Sequence, residues 1–481
     1  MELRRGLVTL GAGAALLGAL LGTAAWTAPP AVARIAEEGT RATADPAVRE
    51  IELSVPTSDG LVLPATLRVL ADARPKLPGM VLVHGAGPGP REKYRAEAEA
   101  LARAGIATLA YDKRTAGYSL LERSYSRLAD DAIAAADLLR GRPEVDPDKV
   151  GLWGFSEGGW VAPLAAARAP DTAFLVVVGA NGVAPLRQQT WADTIKMDHA
   201  GVTGSLVDAH ARTPYRVLTA MGLFPEPFFD PAPALRSLTL PVLGVWGAQD
   251  RLTPPVESVT AYRAALDGAG NRHYTLRTVE GAEHLLRTTT DGFDKGSAFA
   301  PGYVDLVTGW VTDVAGGRLP ATSVAGVGEQ PRPTAAVPPP AWYESAWVQL
   351  GAPAVLVLGF AGFGLTATWR RLRGRPVVRS SWPAGVLAGA GLTTVAGTFA
   401  YLGYLQATAG RTVTPGPMLA GRPLVWLALQ VLAVVAVIAA IMASARWRAT
   451  ANSAGRTRAA LLMAAGAVFV PWATFWGLLV P

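Results

Sequence analysis

The chain has 481 residues, half of them hydrophobic and only 17% charged, with a mean hydropathy of +0.26, which is too apolar for an ordinary water-soluble enzyme. The length suits one globular domain of about 300 residues plus a membrane part, and the net charge of +7 comes from arginines gathered beside apolar runs, so it speaks for membrane topology and against nucleic acid. With no cysteine, disulfides, thiolate catalysis and cysteine-based metal sites are excluded.

Met1–Ala28 has a basic start (Arg4, Arg5) and an apolar run to Trp26. It reads as a signal peptide, with Thr23-Ala24-Ala25 as a small-residue cleavage site, or as an uncleaved signal anchor; either way, the globular part of the chain is exported. Ile35–Arg49 is polar, a helix or a linker. From Glu50 an α/β pattern begins. Ile51–Val55 and Leu61–Leu70 alternate apolar and polar residues around a turn at Ser58-Asp59-Gly60, the signature of an antiparallel pair. Met80–His84 is a buried strand that runs into His84-Gly85-Ala86-Gly87-Pro88-Gly89-Pro90. A helix over Arg91–Ala104 comes next, then a strand over Ile106–Tyr111, the turn Asp112-Lys113-Arg114, a helix over Ser126–Arg140 and a strand over Lys149–Phe155.

That last strand ends in Gly154-Phe155-Ser156-Glu157-Gly158-Gly159, and a small-residue helix from Trp160 to Ala169 starts at once. A strand, a sharp turn and a helix push the serine hydroxyl out at the strand tip. Gly154 and Gly158 flank it where the chain passes too close to itself for side chains. In a chain with 52 glycines the G-x-S-x-G pattern also arises by chance, so its strand–turn–helix context is what gives it weight.

Phe174–Gly179 is the next strand. The segment 181–238 then breaks the rhythm and reads as an insertion that is helical in pieces. Its Trp191, Met197, Met221, Phe224, Phe228 and Phe229 either line an acyl pocket or form a small core of their own. Strands resume at Pro241–Trp246, before Gly247-Ala248-Gln249-Asp250, and at Arg272–Val279, before Glu280-Gly281-Ala282-Glu283-His284. Helices over Val256–Leu266 and Tyr303–Val314 complete the pattern. Strands alternating with helices over residues 50–316 imply an α/β fold, a mostly parallel sheet covered on both faces. Ligand sites in such sheets lie beyond the carboxyl ends of the strands, where Ser156, Asp250, His284 and the loop after His84 all fall.

Residues 317–341 are Pro- and Ala-rich without a hydrophobic period and read as a linker. Within 342–481, four stretches (350–368, 382–405, 424–445 and 459–480) are long enough to span a bilayer. The first intervening loop carries Arg370, Arg371, Arg373, Arg375 and Arg379, and the third carries Arg446, Arg448, Arg456 and Arg458. The middle loop has only Arg411 and Arg422. Arginine-rich loops stay in the cytoplasm, which puts the globular domain on the extracytoplasmic side of the cell membrane. Small residues such as Ala388-Gly389-Ala390-Gly391 favour close helix packing. The spans carry no charged residue, so they read as an anchor rather than an ion path.

A serine needs a base, and the base needs an acid to orient it. Ser156, Asp250 and His284 succeed one another in the order Ser, Asp, His, each after an expected strand. Asp250 has an alternative reading as a loop or helix cap, and Glu283 is a rival acid placed beside the base in sequence. The backbone N–H groups of Ala86 and Glu157 are the expected oxyanion donors. His84 reads as structural. Asp112-Lys113-Arg114 reads as a charged turn with Asp112 paired locally, or else as an acid-binding patch. No His/Glu spacing suggests a metal, and no cofactor is called for.

Taken as a set, Val-His-Gly-Ala-Gly-Pro-Gly-Pro-Arg, Tyr-Asp-Lys-Arg, Gly-Phe-Ser-Glu-Gly-Gly, Gly-Ala-Gln-Asp and Gly-Ala-Glu-His resemble the α/β-hydrolase superfamily, in its bacterial esterase, dienelactone-hydrolase and serine-aminopeptidase-like branch. The resemblance covers roughly residues 50–316. It implies a serine hydrolase with Ser156, Asp250 and His284 as its triad, and it puts 181–238 in the place of the family's cap. The expected activity is that of a carboxylester hydrolase on a small-molecule or lipid-like ester; a serine aminopeptidase, thioesterase or acyltransferase with the same triad, or a non-catalytic sensing or binding domain, is the alternative. The resemblance says nothing of the four spans or of oligomeric state.

Overall fold

The computed structural model describes residues 47–72, 76–375, 381–446 and 453–481. The expected signal or anchor segment, 1–28, lies outside the described residues. The chain forms two compact units. One comprises the described part of Ala31–Ala192 together with Leu223–Val337; the other contains Asp193–Gly222 and Pro338–Pro481.

The first unit is built on a nine-stranded sheet. Its strands are β1 (Val48–Pro56), β2 (Val62–Leu70), β3 (Leu77–Val83), β4 (Ala107–Tyr111), β5 (Val145–Phe155), β6 (Leu175–Val178), β7 (Val242–Gly247), β8 (Tyr274–Val279) and β9 (Ser323–Ala325), in the order β1-β2-β4-β3-β5-β6-β7-β8-β9. β1 pairs antiparallel with β2, and β2 antiparallel with β4; every later pairing is parallel. The expected antiparallel pair and the parallel remainder are both present. β4, β6 and β7 are buried along their whole length, which is why they read as unbroken apolar runs rather than alternating ones.

Alternate residues of the central strands feed two cores. Val81, Val83, Leu152 and Val177 pack with α2 (Tyr125–Arg140), α3 (Gly158–Arg168) and α7 (Pro255–Gly268), whereas Met80, Leu82, Trp153 and Val176 pack with α1 (Arg95–Arg103) and α8 (Tyr303–Ala315). Helix α2 shows how sequence sets the packing. Ser124 caps it by accepting a bond from Arg127 N–H at 3.4 Å, and Leu128, Ala132, Ala135 and Leu139 recur at helical spacing on its buried face.

Residues 317–341, read as a linker, also make contacts with the sheet unit. Ser323–Ala325 adds the ninth strand beside β8. Beyond it, Glu257 in α7 accepts from Thr334 N–H at 2.7 Å, Arg332 O accepts from Trp191 Nε1 at 2.9 Å, and Arg251 Nη1 donates to Glu329 O at 2.8 Å. The segment is held by polar contacts, which leave no hydrophobic period to read.

The second unit contains four helices long and apolar enough to cross a membrane: α9 (Ala346–Leu372), α10 (Trp382–Thr408), α11 (Leu424–Ala445) and α12 (Ser453–Phe475), the last over Thr457–Phe475. Their contacts use small residues. A Cβ added at Gly391 would lie 2.5 Å from the Phe360 ring, and one at Gly359 would lie 2.5 Å from Ala465 Cβ. The middle of the 181–238 insertion belongs to this unit. The end of α4 (Pro185–His199), α5 (Ser205–Ala211) and α6 (Thr213–Ala220) put Met197, Val202, Leu206 and Ala209 into one apolar core with Phe399, Leu402, Trp426 and Trp476. Arg216 forms a bidentate pair with Glu344, Nε to Oε1 at 2.5 Å and Nη2 to Oε2 at 2.6 Å.

Candidate active site

Ser156 has φ 54°, one of four non-glycine residues with positive φ among the described residues. That conformation is uncommon for a residue with a Cβ and is held here by its surroundings. Ser156 N–H donates to Val178 O on β6 at 3.0 Å, and α3 begins two residues later. The flanking glycines are required sterically. A Cβ at Gly154 would lie 2.3 Å from Gly158 O, and one at Gly158 would lie 2.4 Å from Val83 O. Strand β5, helix α3 and the end of β3 therefore meet at backbone contact, with the serine at the apex.

Asp250 comes just after β7 and is fully buried. Its Oδ1 accepts from the N–H groups of Leu252 and Thr253, both at 2.8 Å, and its Oδ2 lies 2.7 Å from Nδ1 of His284. The carboxylate is thus both a loop cap and the hydrogen-bond partner of the imidazole. Glu283 turns elsewhere, its Oε1 accepting from the N–H of Leu285 at 3.0 Å and of Arg287 at 3.2 Å. The His284 ring packs on Phe155, with centroids 4.8 Å apart, and a Cβ at Gly179 would lie 2.9 Å from its Nδ1. The imidazole therefore stands next to the residue before Ser156. Among the described contacts none joins Ser156 Oγ directly to His284.

The loop after β3 closes the other side. A Cβ at Gly85 would lie 3.2 Å from Ser156 Cβ, so the backbone of this loop runs beside the serine. Gly85 N–H donates to Tyr94 Oη and Gly87 N–H to Tyr118 Oη, both at 3.0 Å. Outside the helices and strands, the N–H groups of Ala86 and Glu157 donate to no backbone carbonyl among the described residues. His84 is buried, with Nε2 donating to Tyr111 O at 2.5 Å. Burial, and then the nearby Lys113 ammonium, push its pKa down to about 3, so the ring is a neutral structural donor.

Sequence reading missed a buried ionic cluster under the serine. Lys113 Nζ donates to Glu157 Oε1 at 2.6 Å, to Gly85 O at 2.7 Å and to Tyr118 Oη at 2.8 Å. Arg123 Nη1 donates to Glu157 Oε2 at 2.6 Å. Burial raises the Glu157 carboxyl, but Lys113 and Arg123 more than offset it and its pKa is lowered. Asp112 pairs with Arg91 at 3.0 Å, and Arg114 with Asp131 at 2.5 Å, so the three charges of this turn each have a separate partner and form no open anion patch. The available signal was three successive charges after a fully apolar strand, which does not by itself name their partners.

Residues 95–305 match the model of the peptidase S9, prolyl oligopeptidase, family. The match spans the serine turn, the acid and the histidine on the strand ends just described. The sheet domain has the α/β-hydrolase fold. The chain is 35% identical over 126 residues to a thiohydrolase of Arthrinium phaeospermum, a stretch that is 25% of this chain and 40% of that protein's length. Its fold is similar to that of an esterase from Pyrococcus furiosus (18% identity, TM-score 0.41, 61% of this chain and 97% of that one). It is also similar to a dienelactone hydrolase from Anabaena variabilis (20% identity, TM-score 0.36, 57% of this chain and 99% of that one). The metal-ligating residue types form no group of three or more able to hold an ion among the described residues.

Proposed function

We propose that the protein is a membrane-anchored serine hydrolase that cleaves carboxylic esters through an acyl-enzyme on Ser156. The observation that carries this reading is the left-handed backbone of Ser156, φ 54°, at the tip of β5, with an imidazole–carboxylate pair on neighbouring strand ends. Ser156 Oγ attacks the acyl carbonyl while Nε2 of His284 takes its proton. The carbonyl oxygen gains the electron pair and is held by the N–H groups of Ala86 and Glu157. The intermediate collapses, the C–O bond to the alcohol breaks, and His284 returns the proton to the leaving oxygen. Water then repeats the sequence on the acyl carbon, giving a carboxylic acid and free Ser156. Asp250 holds the Nδ1–H of His284, which leaves Nε2 free to accept. The chemistry requires no cofactor.

A hydrophobic small-molecule or lipid-like ester fits a domain tied to a membrane. The arginine-rich loops support an extracytoplasmic domain. Reporter fusions at Gly316 and Gly374 should read outside and inside respectively, and the reverse pattern overturns that topology. A thioester is the second reading, favoured by the thiohydrolase likeness. A fluorophosphonate probe should label the full-length protein and leave Ser156→Ala unlabelled; equal labelling rejects Ser156 as nucleophile. A panel of p-nitrophenyl esters, acyl thioesters and aminoacyl anilides then separates the substrate classes. Anilide cleavage without ester cleavage would sink the ester assignment.

A further inference from the structure

We propose that Lys113 is a positioning residue whose single ammonium locks both arms of the oxyanion hole against Ser156. This rests on the reading of Ser156 as nucleophile and extends it to a residue outside the triad.

Gly85 C=O and Ala86 N–H belong to one peptide unit, and in a trans peptide they point in opposite directions from one rigid plane. A donor fixed on Gly85 O therefore sets where Ala86 N–H points. Lys113 Nζ supplies that donor at 2.7 Å. The same nitrogen reaches Glu157 Oε1 at 2.6 Å, on the residue whose backbone N–H is the second donor. Its third proton goes to Tyr118 Oη, at 2.8 Å, which in turn accepts from Gly87 N–H at 3.0 Å. All three ammonium protons are used, and each partner is on, or linked to, an arm of the hole. Lys113 N–H adds a further tie, to Gly89 O at 2.7 Å.

The brace has two physical effects. It fixes the carbonyl side of the Gly85–Ala86 peptide in a glycine- and proline-rich loop whose N–H groups at Gly85 and Gly87 are held by Tyr94 and Tyr118. It also polarises that peptide, because a charged donor on the carbonyl strengthens the N–H of the same unit as a donor. The cluster of Lys113, Arg123 and Glu157 sums to one positive charge in a buried setting, with side-chain exposures of 4%, 15% and 0%. That sign favours an oxyanion.

The test uses full-length protein in detergent with a fluorophosphonate probe, whose addition to Ser156 also develops charge on oxygen. Lys113→Met keeps length and apolar bulk but removes the ammonium. Its maximal labelling rate should fall roughly 10- to 100-fold, below the loss of about 10²–10³ expected when an oxyanion donor is removed outright. The probe concentration at half-maximal rate should change less than threefold. Since Lys113→Met leaves Glu157 with one cation fewer, the double variant Lys113→Met/Glu157→Gln restores the cluster's net charge to +1. It should recover thermal stability while its labelling rate stays low. Recovery of rate together with stability, or an unchanged rate in a folded Lys113→Met, overturns the proposal. Equal labelling of Ser156→Ala and wild type would instead defeat the underlying nucleophile assignment, whatever Lys113 does.

Discussion

That Ser156, Asp250 and His284 lie at strand ends was legible in the sequence, because each comes after a strand whose apolar run is unmistakable; the bond between Asp250 and His284 is what the structure adds. The cluster beneath them was not legible, because its partners come from separate segments. Gly85, Lys113, Tyr118, Arg123 and Glu157 meet only once β3, β4 and β5 are side by side. The cluster has a pH signature. Burial pushes the Lys113 ammonium from 10.5 down to about 8, with Glu157 opposing the shift. The charged and titratable groups around it are Glu157, Arg123, Tyr118, Lys93 and His84. Burial raises the pKa of Tyr118, so that phenol stays protonated as Lys113 titrates, and His84 is already neutral. Between pH 8 and 10.5 the folded protein therefore binds fewer protons than the unfolded chain at this position. The linkage relation gives a stability contribution that rises with pH across that window, because the burial cost of the charged form is relieved. Labelling by fluorophosphonate should move oppositely, slowing as pH rises through about 8 while the local stability contribution increases. In Lys113→Met both changes should be absent; a wild-type upper limb in that variant would remove Lys113 from the explanation.

The secondary-structure elements of the sheet domain were legible wherever hydrophobic period and breakers agree, as in α2, which starts at the Ser124 cap and stops at Gly141. Two stretches were not. Ser323–Ala325 is three residues long, below the length at which alternation carries a signal, and is recruited by the exposed edge of β8. The 181–238 insertion looked like one piece because its Trp, Met and Phe content is uniform. In fact, Met197 packs among the membrane-type helices, while Phe229 packs edge-on against Tyr125 of α2, with centroids 4.9 Å apart. Composition does not say which core an apolar side chain joins. Polar anchors hold the element in the helical unit, foremost the pair of Arg216 with Glu344, whose side chains are 14% and 4% exposed. Glu344 also accepts from Ala341 N–H at 2.6 Å. Removing one partner of a buried ion pair costs about 3–5 kcal/mol, more than a hydrophobic replacement of both would. Arg216→Met should therefore lower the thermal midpoint clearly, and Arg216→Met/Glu344→Leu should recover part of the loss. A midpoint unchanged in the single variant would mean the pair is solvated and contributes little.

At the scale of the whole molecule, the four C-terminal helices make packing contacts that the proposed role of an anchor does not call for. An anchor needs only length and hydropathy, which all four have. These helices also share a core with residues inserted between β6 and β7 of the hydrolase sheet: Met197, Val202, Leu206 and Ala209. Gln430 of α11 and Trp426 Nε1 both reach Ser205 Oγ at 3.2 Å, and Gly421 O accepts from Thr203 N–H at 2.8 Å. The insertion is chain-continuous with the sheet domain but obtains its apolar partners from the four apolar helices. Burying one such side chain is worth about 1.5–3 kcal/mol, so losing the partners of several at once exceeds what a short three-helix segment can supply alone. A chain ending at Val337, with the spans removed, should keep the sheet but expose 193–222 to protease. Limited proteolysis of full-length protein in detergent beside the truncated chain reads this directly: cleavage within 193–222 should be fast only in the truncation. Equal protection of that segment in both would show that it folds on the hydrolase domain's own resources, and the helices would return to the role of a tether.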